Sequence, residues 1–358
     1  MSLWEGRWPT EDPYGHPIAD SKAGTYLAGG HYAAIWALKG DLDYFAKTFQ
    51  LGSPNSGTPC IKCRCNARDV PWTELHPENA AWLAHEWAPR AWALAHPENP
   101  AIFDLPGVDV HTIAPDWMHC KHLGCDQYAY GSMLWLLTHR IGPAPTPEAN
   151  MDIMWKQIVE EYKQHGIKGG YSEIRLSMFT PTAAATRAQF PCLKCKVAEV
   201  KSLAKPLLSL WGRYMDHGSK QHRTVRILLI ASVKMEHMME THKSYFRIPS
   251  DDAKIFKDTV YQYVAATSSL GSFYHPRSEW LFHFTIKCHY MLHIARSCHE
   301  INPRVGWCYQ GEDMMNKTKT LVQSCARGTP THTLISKLMK KYTIGLSYLV
   351  MDHSRWWR

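Results

Sequence analysis

The sequence predicts a mainly α protein with one small α/β part. Three observations predict it. The apolar run 32–38 is bounded by glycines on both sides and is long enough for a buried strand. The stretch from Met151 to Gly271 reads mostly helical, with few period-two alternations. Hydrophobic residues make up 45% of the 358 positions and 15 are tryptophan, so a sizeable core can be buried and a disordered chain is excluded.

The elements follow in order. Residues 1–30 are rich in Gly, Pro and Asp and read as an extended entry segment. A strand–acid–helix unit spans 31–51: the strand, then Asp41, then a helix opening at Asp43. A loop over 52–71 carries Cys60, Cys63 and Cys65. Between Trp72 and His96, the spacing of Trp82, Leu83, Trp87, Trp92 and Leu94 suggests one or two short helices broken at Pro89. Asp116 and His119 precede a helix over Asp126–His139, and 143–147 reads as a linker. Helices are then expected over 193–216, 221–243, 251–269, 278–299, 312–325 and 334–349. No repeat of 20–50 residues is present.

Composition narrows the function classes. The formal charge of +8, with 21 histidines besides, favours an anionic partner. No apolar run reaches the length of a membrane span, and the opening Met-Ser-Leu-Trp-Glu has no apolar signal core. The 11 cysteines are therefore expected as zinc ligands and reduced thiols rather than disulfides.

Three constellations offer chemistry. Cys60-x-x-Cys63 has zinc-knuckle spacing, and His289 and His293, four apart on a helix, leave one face about a turn apart. Together they make a tetrahedral set that would staple residue 60 to residue 290. The ordinary reading makes both histidines members of an amphipathic face. A rival pairs Cys60 and Cys63 with Cys192 and Cys195; those two also read as plain core thiols. Asp116-x-x-His119 is a short match, and His119 by itself reads as a cap or a core histidine. Glu312, after Gly311 at a helix start, suits the helix dipole or a metal. Basic clusters at 194–205, 213–226 and 337–341 read as solvated faces or phosphate-tracking surfaces. A thiol redox enzyme is disfavoured because Pro59 and Pro191 precede knuckle-like loops.

The order Asp41, then Cys60-x-x-Cys63 nineteen residues on, Asp116-x-x-His119 before a helix, His289-x-x-x-His293, and Glu312 about twenty residues later resembles a family. It is similar to the RNase H-like DDE transposases of the group that includes CACTA and Transib elements and the V(D)J recombinase catalytic subunit. The resemblance covers roughly residues 31–325 and rests on order and spacing. It implies a partial RNase H-like core with a zinc knuckle over 1–71, a helical insertion over 72–300, and C-terminal helices over 301–358 completing the core. It implies Asp41 as the second catalytic aspartate with Asp43 as fallback, and Glu312 as the third carboxylate. Asp116 and His119 are then the family signature, and Cys60, Cys63, His289 and His293 the ligands of a structural Zn²⁺. Mg²⁺ or Mn²⁺ would serve catalysis, DNA would be the partner and the nucleus the location, with no membrane association.

One departure bears on activity. The family's first aspartate lies on an early core strand, and here only Asp12 and Asp20 precede Asp41, both in Gly/Pro-rich surroundings. The expectation is an N-terminally truncated chain with little catalysis alone, completed by a homodimer mate or another partner. The alternative is a non-catalytic, zinc-stabilised helical module that binds DNA or protein.

Overall fold

A computed structural model describes residues 5–355 apart from 13, 32, 97, 99, 181–188 and 195; the side chains of 28, 310, 312, 316 and 348–355 also lie outside the description. The chain divides into two compact units, residues 1–307 and 308–358.

The first unit is mostly helical around a two-stranded parallel sheet. Strand β1 (Leu38–Gly40) pairs with β2 (Ile113–Pro115) in the register Leu38↔Ile113 and Gly40↔Pro115. The expected strand over 32–38 is thus displaced toward its C-terminal end. Residues 33–36 are exposed and form no strand, and Tyr32 lies outside the described residues. Extended backbone becomes a strand only against a partner. Here β2 is three residues long and ends at Pro115, which has no N–H to donate. Two acids follow these strands. Asp41 caps the helix Leu42–Thr48 by accepting the Tyr44 N–H at 2.6 Å, and the Asp116 N–H donates to the Gly40 carbonyl at 3.2 Å.

The helix expected from Asp126 begins earlier. It is π-helical over Met118–Asp126, α-helical over Gln127–Leu136 and π-helical again to Ile141. Leu123 breaks the first of these, with φ −90° and ψ 22°. Between Trp72 and His96 the short helices are Ala81–His85 and Pro89–Ala95; Pro89 opens the second at the position where its missing N–H costs nothing. The residues expected as a linker lead directly into Pro147–Gln164, capped by Thr146. The single helix expected over 193–216 is two, Val197–Ser202 and Ala204–Tyr214.

Two long helices, Lys220–Thr241 and Ser250–Tyr274, pack against each other and against the π-helical stretch. Each buries an apolar stripe: Val225, Leu228, Leu229 and Met235 on the first, Phe256, Val260, Tyr263 and Val264 on the second. Trp82, Trp92, Trp117 and Trp211 are fully buried in the same core. The helix expected over 278–299 is only Ile286–Arg296. Ser278 at φ 59° and Phe282 at φ 55° sit in the left-handed region, which interrupts a helix of L-residues.

The second unit is a pair of packed helices, Tyr309–Ala326 and Thr331–Arg355, joined through Gly328 at φ 69°. Lys337 ties the turn by donating to the Thr329 hydroxyl at 2.7 Å. Among the described residues no helix is long and apolar enough to cross a membrane.

Candidate metal centre and acidic cleft

The loop that carries the cysteines is held from two sides. It pairs with residues 85–87: Cys63 bridges Glu86, Arg64 N–H donates to the His85 carbonyl at 2.9 Å, and Trp87 N–H donates to the Lys62 carbonyl at 3.0 Å. From the other side the Tyr290 hydroxyl accepts the Ile61 N–H at 2.8 Å and donates to the Pro59 carbonyl at 3.2 Å. Tyr290 is the residue after His289, so the hydroxyl that pins the knuckle is carried by the helix Ile286–Arg296, which also carries both histidines.

Cys60, Cys63, His289 and His293 are all buried, and one donor atom from each lies within 4.8 Å of the other three. Cys63 Sγ is 3.3 Å from His289 Nε2, and the two Nε2 atoms of His289 and His293 are 3.1 Å apart. Zinc–nitrogen bonds of about 2.0–2.1 Å and zinc–sulfur bonds of about 2.3 Å in a tetrahedron put nitrogens roughly 3.3 Å apart and nitrogen about 3.6 Å from sulfur. The observed separations fit that geometry, and the cluster could hold a metal ion such as zinc. Trp82 closes it, its ring centroid 4.8 Å from each imidazole.

Electrostatics agree with a cation here. Burial opposes ionisation of Cys60, yet hydrogen bonds from the Cys63 and Cys65 thiols and the facing imidazoles His293 and His289 draw its pKa well below the ordinary thiol value. Cys63 is pushed up by its hydrogen bonds to Cys60 and Cys65 and by burial. Burial also lowers His289, whereas for His293 the Cys60 and Glu86 charges overcome burial and raise it. The polypeptide therefore favours ionisation at Cys60, and a divalent ion would supply further charge for both thiolates.

Glu86 completes the centre. Its Oε1 is 3.1 Å from His293 Nδ1, leaving Nε2 to face the cluster, and its Oε2 is 3.4 Å from Arg296. A carboxylate behind a ligating imidazole fixes the tautomer and the ring. Among the described residues, the rival thiolate set does not appear as a cluster. Cys192 is half-buried and interacts with Tyr128, and Cys195 lies outside the described residues.

Beyond this centre lies a cleft of about 670 Å³ lined by Asp41, Asp43, His119, Trp72, Thr285 and Lys287 among others. Asp116, whose side chain is fully buried, accepts the Met118 N–H at 2.9 Å on Oδ1 and engages His119 Nδ1 at 2.5 Å on Oδ2. His119 Nε2 then faces Asp41 Oδ2 at 4.0 Å. Asp116, His119 and Asp41 thus form a line from the core to the cleft, with 0%, 19% and 38% of their side chains exposed. A buried carboxylate that engages one imidazole nitrogen fixes the ring, and so sets which way the other nitrogen faces. Asp43 pairs with Lys47 at 2.8 Å. Glu312 lies near the start of the helix Tyr309–Ala326 in the second unit, and its side chain is outside the described residues.

Comparison with family models, with characterised proteins and with solved structures returns no match.

Sequence reasoning missed several members of these sites. Glu86 and Trp82 have no spacing relation to the ligands; only the pairing of 62–64 with 85–87 delivers them. A second buried group was also unforeseen. Lys121 Nζ lies 2.8 Å from both Asp126 and Glu236 and 3.0 Å from the Ser232 hydroxyl, and His122 Nε2 is 2.8 Å from Glu236. Tyr263 donates to the other oxygen of Asp126 at 2.8 Å. The signal available was a Lys-His pair four to five residues before an acid, all within one helical stretch.

Proposed function

We propose that this chain is a zinc-tied DNA-binding protein of the DDE-transposase type, whose Asp41–His119 cleft receives the phosphodiester backbone together with a divalent cation. The observation that carries the reading is the placement of Asp41 and Asp116 after neighbouring parallel strands, joined through His119. Acids at the carboxyl ends of adjacent parallel strands are where open α/β sheets place their chemistry. On this reading β1 and β2 belong to a partial RNase H-like core, and the helices between β2 and Ile286 are the insertion. The zinc quartet then ties the knuckle of the core part to the helix that follows the insertion, fixing Ile286–Arg296 beside the cleft. A divalent cation at Asp41 would supply the Lewis acidity that phosphodiester cleavage requires.

A second reading rests on a specific observation. Both oxygens of Asp116 are engaged within the protein, and one oxygen of Asp41 caps a helix. That leaves few free carboxylate oxygens for two cations and favours a zinc-stabilised module that binds DNA without cutting it.

A supercoiled plasmid incubated with the protein and Mg²⁺ or Mn²⁺ separates the two. The catalytic reading expects metal-dependent nicking by wild type that Asp41→Ala abolishes. Retardation of the DNA without nicking selects the second reading, and neither binding nor nicking overturns both.

A further inference from the structure

The lining of the cleft carries, besides Asp41, three polar groups that lack the partners such groups normally have. Lys287 is half-buried and has no ion pair among the described residues. Its ammonium donates to one acceptor, the Leu123 carbonyl at 3.0 Å, which leaves two N–H groups. The Thr285 hydroxyl is buried with no hydrogen-bond partner, and so is Nδ1 of His283. Both residues line the cleft with Lys287. A half-buried cation without an anion, next to unsatisfied hydroxyl and imidazole groups, is an incomplete arrangement that an anionic ligand would complete.

The fold holds Lys287 in place by three independent means. It stands in the first turn of the helix Ile286–Arg296, which carries His289 and His293 of the candidate metal cluster. The break at Leu123 takes that residue out of helical geometry, and its carbonyl receives the ammonium. Its aliphatic stem lies over Gly124, where a Cβ would stand 2.6 Å from Lys287 Cδ, so only glycine admits it there. The helix Ile286–Arg296 has eleven residues and no side-chain cap, and its N-terminal dipole faces the same space.

We infer that Lys287 and Thr285 form a phosphate-binding subsite of the cleft that Asp41 and Asp43 also line. The inference deepens the function proposed above and rests on it for the identity of the ligand as the phosphate of a DNA strand. The position suits a strand whose sugar–phosphate backbone runs between Asp41 and Lys287, the cation side holding one phosphate oxygen while the acids act on the neighbouring bond. Free phosphate or pyrophosphate offers the same oxygens.

The test compares Lys287→Gln, which can still donate to Leu123, with Lys287→Met, which cannot, and with Lys287→Arg as the charge-preserving rescue. Melting temperature and zinc content report on folding. Binding of a labelled single-stranded 20-mer, followed from low to moderate salt, reports on the subsite. Lys287→Gln is expected to fold and hold zinc as wild type does. It should bind the oligonucleotide roughly tenfold more weakly, as for loss of one charge-assisted hydrogen bond, with a salt slope lower by about one, and Lys287→Arg should restore both. If Lys287→Gln binds with wild-type affinity and slope while Lys287→Met melts lower, Lys287 only caps the Leu123 carbonyl and the inference is overturned, whatever the plasmid assay gives. If wild type never nicks DNA yet Lys287→Gln shows the loss, the subsite stands and the catalytic reading falls. Should wild type bind no oligonucleotide, ³¹P line broadening of pyrophosphate decides: broadening lost in Lys287→Gln supports a free-phosphate site, and no broadening refutes the subsite.

Discussion

Nδ1 of His293 lies 3.1 Å from Oε1 of Glu86, while Nε2 of the same ring turns inward to within 3.1 Å of Nε2 of His289. One imidazole thus links a half-exposed carboxylate to the buried quartet. Glu86→Gln keeps the shape and removes the charge. We expect it to weaken zinc binding about 10- to 100-fold, with the folded structure retained at saturating metal. Competition with a chromophoric chelator measures this directly; unchanged affinity would show that Glu86 pairs with Arg296 and does nothing for the centre.

The Lys121 network makes a pH prediction. Burial opposes ionisation of Glu236, but the Lys121 ammonium and His122 outweigh it and hold the carboxyl well below the usual range. A carboxyl lowered by folding stabilises the native state above its unfolded value of about 4.3, and that contribution is lost as pH falls toward the folded value. Urea midpoints should therefore fall more steeply below about pH 4.5 in wild type than in Glu236→Gln. Equal slopes would contradict the assignment.

Removing the cation of that network should be worse than removing either acid. Lys121→Met leaves Asp126 and Glu236 buried and facing each other, a loss on the order of 3–5 kcal/mol. Chemical denaturation of Lys121→Met tests this, and a loss under about 1 kcal/mol would mean that water reaches the cluster.

Gly124→Ala should destabilise by about 1–3 kcal/mol, since its methyl would meet Lys287 Cδ at 2.6 Å and the His119 carbonyl at 2.8 Å. Part of the cost should vanish in the Gly124→Ala, Lys287→Ala double variant, where the stem is gone. Strict additivity in denaturation would place Lys287 elsewhere.

What was legible in the sequence was local spacing. Cys60-x-x-Cys63 and His289-x-x-x-His293 each declare a geometry on their own, so the quartet could be written down from two short patterns. The helices of the insertion were legible for the same reason: apolar stripes on Lys220–Thr241 and Ser250–Tyr274 repeat with the helical period. The strand was misplaced because pairing, not hydrophobicity, decides where extended chain becomes a ladder, and its partner Ile113–Pro115 was invisible from residue 38. The helix before His289 was overextended because left-handed Ser278 and Phe282 are not residue types that announce a turn. Lys287 meets Leu123, and Glu236 meets Lys121, only through contacts more than a hundred residues apart, and Glu86 arrives through the pairing of 62–64 with 85–87, none of which a local spacing encodes.

Zinc stoichiometry of the purified chain is the decisive measurement. Elemental analysis after removal of loosely bound metal should give about one zinc per chain for wild type and well under half of that for Cys63→Ser and His289→Ala, with melting temperature falling in step. Wild type that is folded and melts cooperatively with almost no zinc would contradict the account, because nothing else described ties the Cys60 loop and the His289 helix through a common ion.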